Sequence, residues 1–226
     1  MNILDQIIAS KHEEVARRKR EMPVAELERS PFFESAVRSM CQSLLEKAPT
    51  AIIAEFKRRS PSKGDIFNAA EVIPVVKSYE QAGCAGISIL TDEKYFGGSL
   101  DDLITARPHV NVPLLRKDFM IDTYQIIEAR SAGADLILLI AEVLTKEQVY
   151  TLASFAKSLD LEVLLEMHSG LQIPKINEHI DIVGINNRDL KTFAVDVDAS
   201  IRLLDQLPGE YLRISESGLS ASTTVH

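Results

Sequence analysis

Glu55 and Lys57 alternate with Ala54 and Phe56 in the segment IIAEFK. If that segment is a buried strand, alternation sends the carboxylate and the ammonium to the same side. Burying such a pair is costly, so it is either a structural ion pair or, on the sharper reading, part of a site. Two more charged residues end apolar runs: Lys117 after VPLLR and Glu166 after LEVLL. With Arg116 and Lys57 nearby, Lys117 is expected to have a lowered pKa and to serve as a proton donor. Glu166 follows Leu164 and Leu165, so its carboxylate is expected to be partly desolvated. An ammonium and a carboxyl at one mouth would supply acid and base together, and pairing between them would oppose the shifts.

Other apolar runs end in polar clusters. Asn186-Asn187-Arg188-Asp189 follows one, and Ser215-Glu216-Ser217-Gly218 follows another. The basic stretch from Lys57 to Lys63, with Ser60 inside it, is either a solvated loop or an anion site. Asp92, Glu142 and Asp189 are adequately explained as residues of wet loops. His12, His109, His168, His179 and His226 read as surface or satisfied histidines. No HExxH, CxxC or clustered-His pattern occurs, so no metal is expected.

The elements that must position these residues are read from periodicity. Residues 2–21 carry Ile3, Leu4, Ile7, Ile8 and Val15 on one helical face. Ser30-Pro31 suggests an N-cap with Pro at the first helical position, and predicts a second helix over 31–46. From residue 50 short apolar runs alternate with helical segments, at 51–56, 87–90, 112–115, 136–140, 163–165, 182–185 and 211–214. Continuous rather than alternating apolar runs indicate strands buried on both faces of a parallel sheet. Ser99 with Asp102, Asp122 with Gln125, and Thr145 with Gln148 look like capping pairs. Gly83 and Gly133 sit where a helix C′ glycine precedes a strand. No glycine-rich phosphate loop follows the first run, and regular β/α units favour a closed barrel over an open doubly wound sheet. The site would then lie at the carboxyl ends of the strands.

The 226 residues, 46% of them hydrophobic, suit one α/β domain with a substantial core. No apolar run reaches membrane-spanning length, and no signal-peptide pattern opens the chain. A cytoplasmic location is the resulting expectation. A net charge of −8 argues against nucleic acid, though not against a small anion bound by local cations. Cys41 and Cys84 are expected to be small core residues.

Six segments taken together resemble the indole-3-glycerol phosphate synthase family. They are IIAEFKRRSPSKG (52–64), SILTDEKYFGGS (88–99), PLLRKDFMID (113–122), LEVLLEMHS (161–169), VGINNRDLKTF (183–193) and ISESGLS (214–220). The opening helix is also similar to that family's N-terminal extension. The resemblance implies a (β/α)8 TIM-barrel type α/β fold as a single domain, with the helical extension over 1–48 and β/α units over 49–226. It implies ring closure, decarboxylation and dehydration of 1-(2-carboxyphenylamino)-1-deoxyribulose 5-phosphate, without a cofactor. Under it, Lys117 is the general acid on the ribulose carbonyl and Glu166 an acid/base in dehydration. Lys57 holds the substrate carboxylate and Glu55 positions Lys57. Asn186, Arg188 and Glu216 orient the sugar and the lysines. Ser60, Ser217 and Gly218 line the substrate and phosphate region. Which of Lys57 and Glu166 donates each proton stays open.

The chain ends at ASTTVH, shortly after ISESGLS, whereas the family pattern continues into an eighth strand. The expectation is therefore a barrel cut after its seventh strand, with weak or no turnover alone or association across the open edge. Two other readings stand beside this one. The first is another phosphate-binding barrel such as phosphoribosylanthranilate isomerase, which asks for a Cys/Asp pair that Cys41 and Cys84 are not placed to give. The second is a fragment that binds without turnover.

Overall fold

The computed structural model describes residues 2–189, 194–207, 209 and 211–218. It opens with α1 (Ile3–Glu21), started by a capping box between Asn2 and Asp5. Two short helices follow, α2 (Val24–Leu27) and α3 (Met40–Glu46). The single helix expected over 31–46 is not formed; the Arg38 N–H, a donor it would have used internally, goes instead to Asp135 at 2.8 Å. Ser30 donates its hydroxyl to the Ser131 carbonyl at 2.6 Å, and residues 31–39 run as turns and extended chain. The helix begins only at Ser39, whose Oγ accepts from the Gln42 N–H. Glu162 satisfies two further orphan donors, the backbone N–H groups of Met40 and Cys41, at 2.8 and 3.1 Å.

The alternating part contains β1 (Ile53–Phe56), a hairpin of β2 (Arg59–Ser60) and β3 (Gly64–Asp65), α4 (Val72–Gln81), β4 (Gly86–Leu90), α5 (Glu93–Phe96) and α6 (Leu100–Ala106). It continues through β5 (Leu114–Lys117), α7 (Thr123–Ser131), β6 (Leu136–Ile140), α8 (Lys146–Ser158), β7 (Glu162–Met167), β8 (Ile182–Asn186), α9 (Asp198–Leu204) and β9 (Leu212–Glu216). Every expected run forms a strand, with small shifts at the ends. The hairpin was not anticipated; its strands are two residues long and carry no alternation to read. Asp122–Gln125 and Thr145–Gln148 close full capping boxes. Ser99 caps α6, but Asp102 turns instead to the Arg58 guanidinium in a two-pronged pair at 2.5 and 2.8 Å. Gly83 and Gly133 adopt φ of 87° and 83°, as the C′ position requires.

The seven longer strands form one parallel sheet in the order β1-β4-β5-β6-β7-β8-β9. Laid flat, its two edges would stand roughly 29 Å apart at about 4.8 Å per strand. Yet the Lys117 ammonium of β5 lies 3.3 Å from Glu55 on β1 and 3.0 Å from Glu216 on β9. Both edges reach one side chain, so the sheet curls around an interior. Along β6, Leu136, Leu138 and Ile140 face that interior with Leu115, Leu164 and Ile182. Ile137 and Leu139 face outward into a second core under the helices, with Ile126, Val149 and Ala153. This two-sided burial accounts for the continuous apolar runs.

Met40 and Leu44 of α3 pack with the interior residues, as do Leu4 and Ile7 of α1. Cys84 is buried and Cys41 half-buried, and neither is bridged. No helix among the described residues is long and apolar enough to cross a membrane. Residues 219–226, on which the expectation of a missing eighth strand rests, lie outside the described residues, as do 190–193.

Candidate functional site

Lys117 ends β5 on its inward face, one turn of the alternation beyond Leu115. Its ammonium lies 3.0 Å from Glu216, 3.3 Å from Glu55 and 3.8 Å from Glu166. Burial alone would lower its pKa, but Glu216, Glu55 and Glu166 outweigh burial and raise it well above the ordinary lysine value. The expected lowering is therefore corrected. Arg116, one of the two cations invoked for it, points to the outer face. There it is buried against Thr91, Asp118, Glu128 and the Gln125 carbonyl. Lys57, the other, is tied to Glu55.

Glu55 sits between the two lysines. Burial pushes its carboxyl up, but Lys117 and Lys57 overcome this and hold it down at about 2. Glu166 is 2% exposed on the inward face of β7. Asn186, ending β8 beside it, donates to Glu166 Oε1 at 3.1 Å. Glu216 closes the ring from β9. Burial raises its pKa, Lys117 opposes, and Glu166 and Glu55 reinforce the rise. Its Oε2 accepts from Lys117 at 3.0 Å, while Oε1 is buried with no hydrogen-bond partner among the described residues. Oε1 lies against Gly184, in the place a Cβ at that position would take. The absent side chain on β8 is what makes room for the carboxylate.

Beyond β9 the backbone turns through two left-handed residues, Ser217 at φ 66° and Gly218 at φ 76°. Only the second is glycine, so Ser217 holds a costly conformation. Asn187 fixes the turn, donating through its side chain to Ser215 Oγ at 2.9 Å and to the Ser217 carbonyl at 3.0 Å. Arg188 is anchored by its backbone N–H to Asn186 Oδ1 at 2.9 Å and bridges to Val195. Ser60 lies in the hairpin, buried, with its Oγ accepting from the Lys63 N–H at 3.2 Å and 3.3 Å from Ser62 Oγ. Neither of these bonds reaches the Lys117 cluster.

Three features escaped the sequence reading. His168 is neither a surface nor a satisfied histidine. It stands two residues beyond Glu166, its side chain 11% exposed and Nε2 3.4 Å from Glu166 Oε1. Asp92 is no wet-loop residue; it is buried, caps α5 through the Tyr95 N–H, and lies 2.9 Å from the Lys11 ammonium. Lys11, fully buried on α1, also meets Asp118 at 2.9 Å and Glu14 at 2.8 Å. On α1, Lys11 falls between Ile7 and Val15 at i+4 spacing, on the buried face. That spacing was a signal available in the sequence.

The ring offers an ammonium whose pKa is raised by three carboxylates, a second ammonium, and carboxyls whose environments push them apart. Such a set can polarise a carbonyl and move protons without a metal. A profile of the family described as "Indole-3-glycerol phosphate synthase" matches residues 4–226. A protein named indole-3-glycerol phosphate synthase from Bacteroides thetaiotaomicron is 51% identical over 219 residues, 97% of this chain and 84% of the relative. One of the same name from Salinibacter ruber is 41% identical over 227 residues, 100% of this chain and 84% of the relative. One from Campylobacter fetus is 42% identical over 218 residues, 96% and 84% respectively. Among solved structures, a chain of the tryptophan synthase a2b2 complex from Pyrococcus furiosus aligns with a TM-score of 0.57 at 11% identity, over 78% of this chain and 82% of that one. That likeness is one of α/β, TIM-barrel-like fold alone.

Proposed function

The chain belongs to the indole-3-glycerol phosphate synthase family, and on that premise we propose how its strand ends divide the chemistry. The family places it as a carboxy-lyase of tryptophan biosynthesis. The substrate is 1-(2-carboxyphenylamino)-1-deoxyribulose 5-phosphate. Lys117 donates to the ribulose carbonyl oxygen, and the carbonyl carbon becomes electrophilic toward the aromatic ring. Ring closure leaves a cationic intermediate that expels carbon dioxide, and loss of the hydroxyl as water completes the indole.

The observation that carries this reading is the setting of Lys117. Three carboxylates hold its ammonium at the rim of the curled sheet. A raised pKa keeps the donor loaded, and a positive charge already in place stabilises an oxygen that becomes negative. Glu55 holds both Lys117 and Lys57, leaving Lys57 beside the substrate carboxylate. Glu166, steered by Asn186, acts as the acid/base of dehydration. Glu216 keeps Lys117 in register, Arg188 serves the sugar, and Ser60, Ser217 and Gly218 line the phosphate region.

Replacing Lys117 by Met removes the charge and keeps most of the bulk. The expected result is a fall in kcat of about 10²- to 10⁴-fold, followed by the fluorescence of the indole product. Turnover within about tenfold of the unaltered protein would remove Lys117 from the role of acid.

A further inference from the structure

Glu166 can serve as acid and base only if one of its oxygens is kept for the substrate. Oε1 is approached by the Asn186 amide at 3.1 Å and by His168 Nε2 at 3.4 Å, while Oε2 faces Lys117 at 3.8 Å. Neither ring nitrogen of His168 has a hydrogen-bond partner among the described residues. The residue is nevertheless held in place: its backbone N–H donates to Gln172 Oε1 at 2.7 Å, and the Gln172 amide donates to Glu142 at 2.6 Å. Its position two residues beyond Glu166 sends both side chains to the same side of the strand end. Among the described residues, this buried, anchored imidazole has Nε2 3.4 Å from Glu166 Oε1, a short movement from a closed hydrogen bond.

We propose that His168 is a positioning residue that donates Nε2–H to Glu166 Oε1, so that Glu166 presents Oε2 to the reacting atoms. This rests on the reading of Glu166 as the acid/base group. The tautomer follows from the partner, since an ionised carboxylate only accepts and the proton must therefore sit on Nε2. The imidazole is neutral in this role. Burial lowers its pKa, against the pull of Glu142, Glu216 and Asp189 and with the help of Lys117. Glu166 completes the set of charged groups around it. Two donors on one oxygen fix the carboxylate plane more firmly than Asn186 alone, which matters because proton transfer depends on a position held within a fraction of an ångström.

The test compares His168→Leu, His168→Gln and Glu166→Gln, singly and as the pair His168→Leu/Glu166→Gln, in the full chain. His168→Leu should lower kcat by about 10- to 100-fold, less than direct loss of an acid/base group, with KM changed less than about threefold. His168→Gln, which keeps a donor near the Nε2 position, should recover most of kcat. The double variant should be no slower than Glu166→Gln, because His168 acts through Glu166. Additive losses would overturn the proposal, as would a His168→Leu loss that tracks a lowered Tm and that Gln does not rescue. If Glu166→Gln kept full kcat, the assignment of Glu166 would fall and this inference with it. If Glu166→Gln were inactive while His168→Leu kept full kcat, only the inference would fall. A readout independent of turnover is the ring's ¹H–¹⁵N correlation at neutral pH. The proton should sit on Nε2 and respond to Glu166→Gln; a proton on Nδ1 or a charged ring would overturn the assignment.

Discussion

At the scale of residues, the site is organised by competition for one ammonium. Glu55 and Glu216 both pair with Lys117, yet their carboxyls move in opposite directions. Glu55 has Lys57 as well and is held at about 2; Glu216 has burial and two neighbouring carboxylates against it and is raised. A carboxyl raised in the folded state contributes stability below its unfolded pKa and loses it as pH rises through the folded value. Ionising Glu216 therefore works against folding, although its bond to Lys117 offsets part of that cost. Glu216→Gln should leave stability unchanged or raise it, while lowering kcat. Urea unfolding at pH 7 checks this, and a loss of more than about 1 kcal/mol would contradict it. The cluster around Lys117 was legible as charged residues standing at or just beyond the ends of apolar runs, with Glu55 inside one. Their electrostatics were not, because neighbours in sequence stand on opposite faces of a strand. Arg116 adjoins Lys117 in the chain and is directed away from it, whereas Glu216 is 99 residues distant and bonded to it.

At the scale of elements, two contacts decide how the strand ends are held. Gly184 of β8 gives Glu216 its place. An alanine there would displace Oε1, and with it the bond to Lys117, more than it would disturb the strand. Gly184→Ala is thus predicted to reduce kcat by about tenfold or more, while destabilising the fold by only about 1 kcal/mol. Kinetics and thermal unfolding of the same sample separate the two effects. The second contact joins α1 to the sheet. Lys11 is fully buried between Asp92, from the β4–α5 junction, and Asp118, the residue after Lys117. When Lys11 becomes Met, Asp118 keeps Arg116 and the Thr91 hydroxyl, but Asp92 loses its paired ammonium and retains the Tyr95 N–H, so that variant should lose about 3–5 kcal/mol in urea unfolding. α1 itself was legible from its apolar face, but its buried lysine broke the pattern and passed as a polar residue. The false helix over 31–46 has the complementary cause. Its local cap signal at Ser30-Pro31 was genuine, since Ser30 Oγ accepts from the Phe32 N–H at 3.2 Å, but Asp135 and Glu162, far along the chain, take the backbone N–H groups of Arg38 and Met40.

At the scale of the whole molecule, curling places charged groups from both sheet edges in one low-dielectric ring, and a second buried cluster, outside that ring, ties α1 to the strand ends and governs stability in acid. Asp118 shows how. Burial would raise its carboxyl, but Lys11, Arg116 and the Thr91 hydroxyl bring it far below the ordinary range. A carboxyl depressed in the folded state contributes stability that is fully present above its unfolded pKa, about 3.9 for Asp. That stability is lost as pH falls through the folded value. Asp118→Asn should therefore cost about 3–5 kcal/mol at pH 7, where the native pair is intact. The gap between variant and unaltered protein should stay constant down to about pH 4 and narrow below it. Urea midpoints from pH 7 to pH 3 measure this directly. A gap that stayed the same at pH 3 would mean that ionised Asp118 does not carry the link between α1 and the strand ends, and that packing of Leu4 and Ile7 against the interior holds α1 in place instead.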